Sequence, residues 1–309
     1  MGKRAVLFPG QGSQYVGMAS DFRQNSNVAK EILEQSEDIL GFKISDIMFN
    51  GPKEELQQTQ ITQPAIFIHS SIIWKILNNL NLAEGFAGHS LGEYTAVMAA
   101  NSLSFEEALM LVKNRGEAMA GAGKIQPGTM AAVIGLQKET VEEICNQASS
   151  EGIVTPANFN SPGQIVISGS LEGVRKAVEL SKEAGAKLAR LLPVSGAFHS
   201  PLMESAQEKL LEALNSVNFK DAEVPIFANV SASPVKSGEE IKNLLIKQLY
   251  SPVLWEETIK NMIADGFTDF VEIGPGKVLQ GLVKRIDRTV NITGIDKFED
   301  LEAFLHVNS

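Results

Sequence analysis

The chain has 309 residues, with 27 Lys and Arg against 37 Asp and Glu and a formal net charge of −10. That length allows one large core or two smaller ones, and the acidity excludes a general nucleic-acid binder, which needs a basic footprint. A single cysteine, Cys145, excludes an internal disulfide framework and fits a reducing compartment.

No apolar run reaches membrane-spanning length. The run behind Met1-Gly2-Lys3-Arg4 stops at Phe8, short of a signal-peptide core, so the expected location is the cytoplasm without membrane attachment. In chain order, Ala5 to Phe8 is predicted as a strand ending in the turn Gly10-Gln11-Gly12-Ser13-Gln14. Val28 to Leu40 follows as an expected amphipathic helix. Pro64 to Leu80 is an expected buried helix opening on a proline, a favoured first residue. Gly85-Phe86-Ala87 is a weak strand candidate before an expected helix from Leu91 to Ala100. Ser104 and Glu107 have the spacing of a capping box for a helix running to Gly121.

From Thr129 to Leu192 the expected order is strand, helix, strand, strand, helix, strand, with the middle strands flanking Asn160-Ser161-Pro162-Gly163. That is the pattern of a ferredoxin-like unit. It reads as a subdomain of residues 127–193 inserted into a larger α/β domain made of residues 1–126 and 194–309, with Gly121-Ala122-Gly123 and Pro193 as hinges. The α/β rhythm then returns. A helix from Pro201 to Val217, a strand from Pro225 to Val230 and helices from Gly238 to Tyr250 and Val253 to Ala264 are expected, then a strand from Asp269 to Ile273. A helix from Gly276 to Ile286, a strand from Asn291 to Ile295 and a helix from Lys297 to His306 complete the expected order.

Gly88-His89-Ser90-Leu91-Gly92 carries the most chemical information. In a strand-to-helix turn, a G-x-S-x-G sequence holds a serine hydroxyl at a helix N-terminus, beside unpaired N–H groups that suit an oxyanion. The plainer reading is an ordinary glycine-rich turn. A serine nucleophile needs a base. Of the four histidines, His306 belongs to a solvated terminus and His69 to the buried helix. His89 adjoins Ser90 and would point away from it, supporting the turn or touching substrate. His199, in the small-residue loop Ser195 to Pro201, is the candidate base, and Ser before His is the order of hydrolase-like α/β folds.

No acid stands out to orient that histidine. Glu106, Glu142, Glu143 and Glu172 fall on helix faces, which leaves a backbone carbonyl as an alternative. Gln11 could offer a second N–H beside that of Leu91, or simply close a tight turn. Arg115 would bind a carboxylate bidentately in an acyl pocket, or lie on a solvated helix face. Gly10-Gln11-Gly12 fails as a dinucleotide fingerprint because Tyr15 stands in the third glycine's place. Gly274-Pro275-Gly276-Lys277 lacks the spacing and the hydroxyl of a P-loop, and no Cys/His cluster has metal spacing.

Together these segments resemble the malonyl-CoA:acyl carrier protein transacylases, an acyltransferase family of bacterial fatty-acid synthesis. The resemblance is carried by Phe8-Pro9-Gly10-Gln11-Gly12-Ser13-Gln14, Thr62-Gln63-Pro64-Ala65, Gly88-His89-Ser90-Leu91-Gly92-Glu93-Tyr94 and Arg115-Gly116. Further along come Asn158 to Gln164, Phe198-His199-Ser200, Gln248 to Val253 and Glu272 to Gly276, so it covers nearly the whole chain. It implies a large hydrolase-like α/β domain with an inserted ferredoxin-like subdomain. It implies Ser90 as nucleophile, His199 as base, the Gln248 backbone carbonyl as orienting group, and the N–H groups of Gln11 and Leu91 as oxyanion hole. Arg115 would hold the malonyl carboxylate, Asn158 and Asn160 would line the cleft, and Phe198 matches malonyl-selective members.

The implied activity is that of an acyl-carrier-protein S-malonyltransferase working by a ping-pong route through malonyl-Ser90. Malonyl-CoA and acyl carrier protein are the expected partners, the chain is expected to be a monomer, and no cofactor is expected because coenzyme A enters as the thioester substrate. Both partners are acidic, so the net charge requires a local basic patch. Lys187 with Arg190, and Lys284, Arg285 and Arg288, are the candidates. The competing readings are a thioesterase or esterase, a polyketide-pathway acyltransferase, and a silent carrier-binding module.

Overall fold

A computed structural model describes residues 2–77, 80, 82–194 and 196–308. Within them, ten strands form two separate sheets: β1 (Lys3–Phe8), β2 (Gly85–Gly88), β3 (Gly128–Ile134), β4 (Val154–Ser161), β5 (Gln164–Ser170), β6 (Leu188–Leu191), β7 (Ile226–Phe227), β8 (Pro234–Val235), β9 (Phe267–Ile273) and β10 (Asn291–Ile295). The larger sheet has the order β10-β9-β1-β2-β7-β8 and is parallel except for the β7–β8 edge. β1 reads as the unbroken apolar run Ala5 to Phe8 because both faces of a parallel sheet are covered. One face packs under the helices Thr59–Leu77 and Gly92–Ala99, where Phe8, Trp74 and Phe86 meet edge to face or tilted. The other buries Leu7, Phe227, Trp255, Phe270 and Leu282.

The smaller sheet, β4-β5-β3-β6, is antiparallel throughout. The helices Lys138–Ala148 and Leu171–Glu183 cover one face with their own cluster, including Val141, Ile144, Ile167 and Val174. This is the ferredoxin-like arrangement expected from the sequence. The smaller sheet is tied to the rest of the chain by peptide groups, from β4 to the segment ahead of the helix Trp255–Ala264. Asn158 bridges Val253, the Phe159 N–H donates to the Val253 carbonyl at 2.9 Å, and the Val253 N–H donates to Ala157 at 2.8 Å.

Some boundaries differ from expectation. Pro64 does not open its helix; it lies inside Thr59–Leu77, a helix started earlier and held by burial from Thr62 onward. Asn78 and Asn79, at the expected end of that helix, lie outside the described residues, as does Ser195. Gly121-Ala122-Gly123 is not a break: the capped helix Phe105–Ile125 runs through it with Met119 and Ala122 buried. The expected helix from Pro201 divides into a 3₁₀ segment, Pro201–Ala206, and an α-helix, Gln207–Asn215. The strand expected from Pro225 shrinks to two residues. No helix among the described residues is long and apolar enough to cross a membrane.

Candidate active site

β1 and β2 run side by side with Phe8 opposite Gly88, so the turns after them emerge together at the carboxyl edge of the sheet. The β2 turn carries Ser90 in a left-handed conformation, φ 52°, a costly geometry for a residue with a side chain. Asn229, just past β7, holds it there. Its Oδ1 accepts the Ser90 N–H at 2.7 Å while its Nδ2 donates to the Gly88 carbonyl at 2.6 Å. The helix Gly92–Ala99 then leaves so close to β1 that a Cβ at Gly92 would collide with the Phe8 carbonyl.

His199 approaches from the segment that returns after β6. Its Nε2 lies 2.8 Å from Ser90 Oγ, and its Nδ1 lies 2.8 Å from the Gln248 carbonyl oxygen. A carbonyl only accepts, so Nδ1 carries the proton and Nε2 is left to accept from the Ser90 hydroxyl. Burial and the nearby Arg115 charge push the His199 pKa down to about 3. The ring is neutral at physiological pH, as a general base must be. A main-chain oxygen occupies the position where many triads have a carboxylate. Neither the Gln11 nor the Leu91 N–H has an acceptor among the described residues, and both residues line the cleft beside Ser90. The Ser90 amide is already taken by Asn229, which leaves that pair for a developing oxyanion.

Arg115 is the side chain least expected to be buried, and only 1% of it is exposed. Gly116 lets its helix seat against Thr59 and Gln60, where a Cβ would press on their backbone at 3.0–3.2 Å. The guanidinium donates to Gln63 Oε1 at 2.7 Å, to Gln248 Oε1 at 2.9 Å and to Ser90 Oγ at 3.1 Å, and it stacks 5.4 Å from the Tyr94 ring centre. It has no ion-pair partner among the described residues. Burial and the Glu93 charge raise the Tyr94 hydroxyl to about 12, and burial raises Glu93 to about 7.

The subdomain completes a cleft of ≈ 190 Å³ with Met130, Asn158, Asn160 and Val166, faced by Phe198, Leu279 and Leu282. Asn160 Oδ1 accepts from His89 Nε2 at 2.8 Å, and the His89 ring lies 5.4 Å from that of Trp255. His89 thus supports the turn and faces the cleft. The residues expected to form the site come together here: Gln11, Ser90, Leu91, Arg115, Asn158, Asn160, Phe198 and His199 line the cleft, and Gln248 lies buried beneath them. Sequence reasoning missed three polar supports, Gln63, Glu93 and Asn229. Gln63 and Glu93 stand inside segments that carry the family resemblance; Asn229 has only its position just past a short strand to mark it. His69 is buried, with Nε2 2.8 Å from the Asp296 carbonyl, and is structural as expected. Lys187, Arg190, Lys284, Arg285 and Arg288 are exposed, and Arg285 donates to Gln164 on the cleft wall. No group of three or more His, Cys, Asp or Glu suited to a metal occurs among the described residues.

Comparison with known proteins agrees with this geometry. Residues 6–295 match the family model described as the acyl transferase domain. The malonyl CoA-acyl carrier protein transacylase of Bacillus subtilis (strain 168) is 45% identical over 304 residues, covering 98% of this chain and 96% of the relative. The crystal structure of an acyl carrier protein S-malonyltransferase from Vibrio cholerae superposes with a TM-score of 0.93 at 41% identity, covering 98% of this chain and 99% of that one. A malonyl-transacylase in complex with its type II PKS acyl-carrier protein superposes at 0.95 with 38% identity, covering 99% of each chain. With a matching family model over almost its full length and relatives this similar, the chain belongs to the acyl transferase domain family.

Proposed function

We propose that this chain transfers the malonyl group of malonyl-CoA to the phosphopantetheine thiol of acyl carrier protein, supplying fatty-acid elongation. The observation that carries the reading is the buried Arg115 cation, 3.1 Å from Ser90 Oγ and without an ion-pair partner among the described residues. A buried cation hydrogen-bonded only to neutral groups, with Glu93 attracting it without an ion-pair contact, is costly, and an acyl chain ending in a carboxylate offsets that cost with a bidentate pair. The names of the relatives supply the thioester and the carrier.

Ser90 Oγ attacks the thioester carbonyl as His199 Nε2 takes its proton. The oxyanion is received by the Gln11 and Leu91 N–H groups, the C–S bond breaks, and the coenzyme A sulfur takes the proton from His199. The carrier's thiol then gives its proton to His199 and attacks the malonyl ester. The C–O bond breaks and Ser90 recovers its proton. The reaction draws on no cofactor. In this reading residues 127–193 are the ferredoxin-like subdomain, and residues 1–126 with 194–309 the large domain. The site is complete within one chain, which supports a monomer. The net charge of −10 supports a reading without nucleic acid, and nothing in the reaction calls for a membrane, so the cytoplasm is its proposed location.

Intact-mass measurement tests the proposal. Malonyl-CoA alone should leave one malonyl adduct, mapped to Ser90, that a carrier protein discharges and buffer does not. Rapid loss to buffer would make the chain a hydrolase, and no adduct would end the serine route. Because one structural neighbour is bound to a type II PKS acyl-carrier protein, the chase should compare a fatty-acid carrier with a polyketide carrier.

A further inference from the structure

We infer that Glu93 is a positioning residue for acyl selectivity: it orients the Gln248 side-chain amide, and that amide holds the Arg115 guanidinium over Ser90. The inference rests on the malonyl-transfer reading and adds to it a residue that touches neither the acyl group nor the reacting atoms. Glu93 lies three residues after Ser90, on the first turn of its helix, and is 3% exposed. Its Oε2 accepts from Gln248 Nε2 at 2.7 Å and from the Asn229 N–H at 3.2 Å.

An amide has two faces, and what surrounds it decides which way it lies. Gln248 Nε2 donates to Glu93 and, at 2.9 Å, to the Ser90 carbonyl; Gln248 Oε1 accepts from Arg115 at 2.9 Å. Rotating the amide by half a turn would set an NH₂ group against a guanidinium that can only donate. It would also set an oxygen against a carboxylate and a carbonyl that face it as acceptors. The Glu93 and Ser90 acceptors, of which Glu93 is the closer and the one supplied by a side chain, together commit Gln248 Oε1 to Arg115. The same residue orients His199 through its backbone oxygen, 2.8 Å from Nδ1, and that contact does not depend on the amide's direction. Loss of Glu93 should therefore damage malonyl selection more than the base.

The experiment measures kcat/KM for malonyl-CoA and for acetyl-CoA in the wild type, Glu93→Ala, Glu93→Gln, Gln248→Met and the double variant Glu93→Ala with Gln248→Met. Far-ultraviolet circular dichroism and melting check that each folds. Glu93→Ala should lower the malonyl-to-acetyl ratio about tenfold, the scale of a hydrogen bond to a charged group, while acetyl transfer changes less. Glu93→Gln keeps an acceptor and should retain most of the ratio. Gln248→Met should lower the ratio as Glu93→Ala does, and adding Glu93→Ala to it should cost nothing more. An unchanged ratio in a folded Glu93→Ala, or additive losses in the double variant, overturns the inference. If Glu93→Ala does not fold, a wild-type ratio in Gln248→Met overturns it equally. A wild type that takes up no malonyl group would instead count against the function itself, so the two failures are distinguishable.

Discussion

The two sheets face one cleft with different materials. The parallel side supplies Ser90 and Gln11 at strand ends and Arg115 on the long capped helix. It fixes Ser90 and Arg115 by buried polar contacts through Gln63, Glu93, Asn229 and Gln248. The antiparallel side supplies Met130 and Val166 as apolar wall with Asn158 and Asn160, and keeps its own separate core behind them. A parallel sheet delivers several strand ends and helix starts to one edge, where unpaired N–H groups collect. An antiparallel sheet presents a face, which is better suited to shape a cavity. Reaction and enclosure are thus assigned to different layers, and substitutions on the two sides should differ in kind.

The largest effect belongs to the parallel side. Ser90→Ala should abolish the malonyl adduct and lower transfer by roughly 10⁴-fold or more, measured by intact mass and steady-state kinetics. Arg115→Ala should lower malonyl kcat/KM by roughly a hundredfold, the cost of removing one partner of a buried charged pair, while acetyl transfer is kept or gained. Equal losses for both acyl groups would remove Arg115 from selection and blur the contrast between the two sides.

The pH profile sharpens it next. With His199 near 3, the neutral base persists well below its ordinary value of 6.5. At pH 5.5, kcat/KM should exceed by about tenfold what a histidine titrating at 6.5 allows. The stability signs oppose each other. Between about 3 and 6.5 the unfolded chain binds a proton that folded His199 refuses, so this group's contribution weakens as pH falls through 6.5. Glu93, near 7 when folded against 4.5, binds its proton more tightly in the native chain, so its contribution is lost as pH rises from 4.5 through 7. Urea titrations of wild type and Glu93→Gln at several pH values separate the two.

The smallest effect belongs to the antiparallel side. Asn160→Ala removes one neutral bond to His89 and should lower malonyl kcat/KM about 2–10-fold, mainly through KM. A loss as large as that of Ser90→Ala would break the division of labour outright.

Much of this is legible in the sequence. The alternation of elements, the capping box at Ser104, the four-stranded unit and the turn around Ser90 are local signals, and each appears in the fold. Ser90 and His199 could be paired because a serine requires a base and the other three histidines had plainer uses. What stayed hidden depends on distant packing. A local pattern cannot distinguish a buried Arg115 from a solvated one; the helix's buried apolar face and the close approach of Gly116 to Thr59 and Gln60 place it inward. Asn229 acts across the sheet on a turn far from it in sequence. Pro64 reads as a helix start because its missing donor is harmless there, yet a buried helix absorbed the loss.

The seam between β4 and the segment at Val253 has its own consequence. It is stitched by the amide and carbonyl groups of Ala157, Phe159 and Val253. These bonds are made by the main chain, so they do not depend on the side chains that line the cleft beside them. Evolution is free to rewrite the lining for another acyl group while that main-chain tie stays in place.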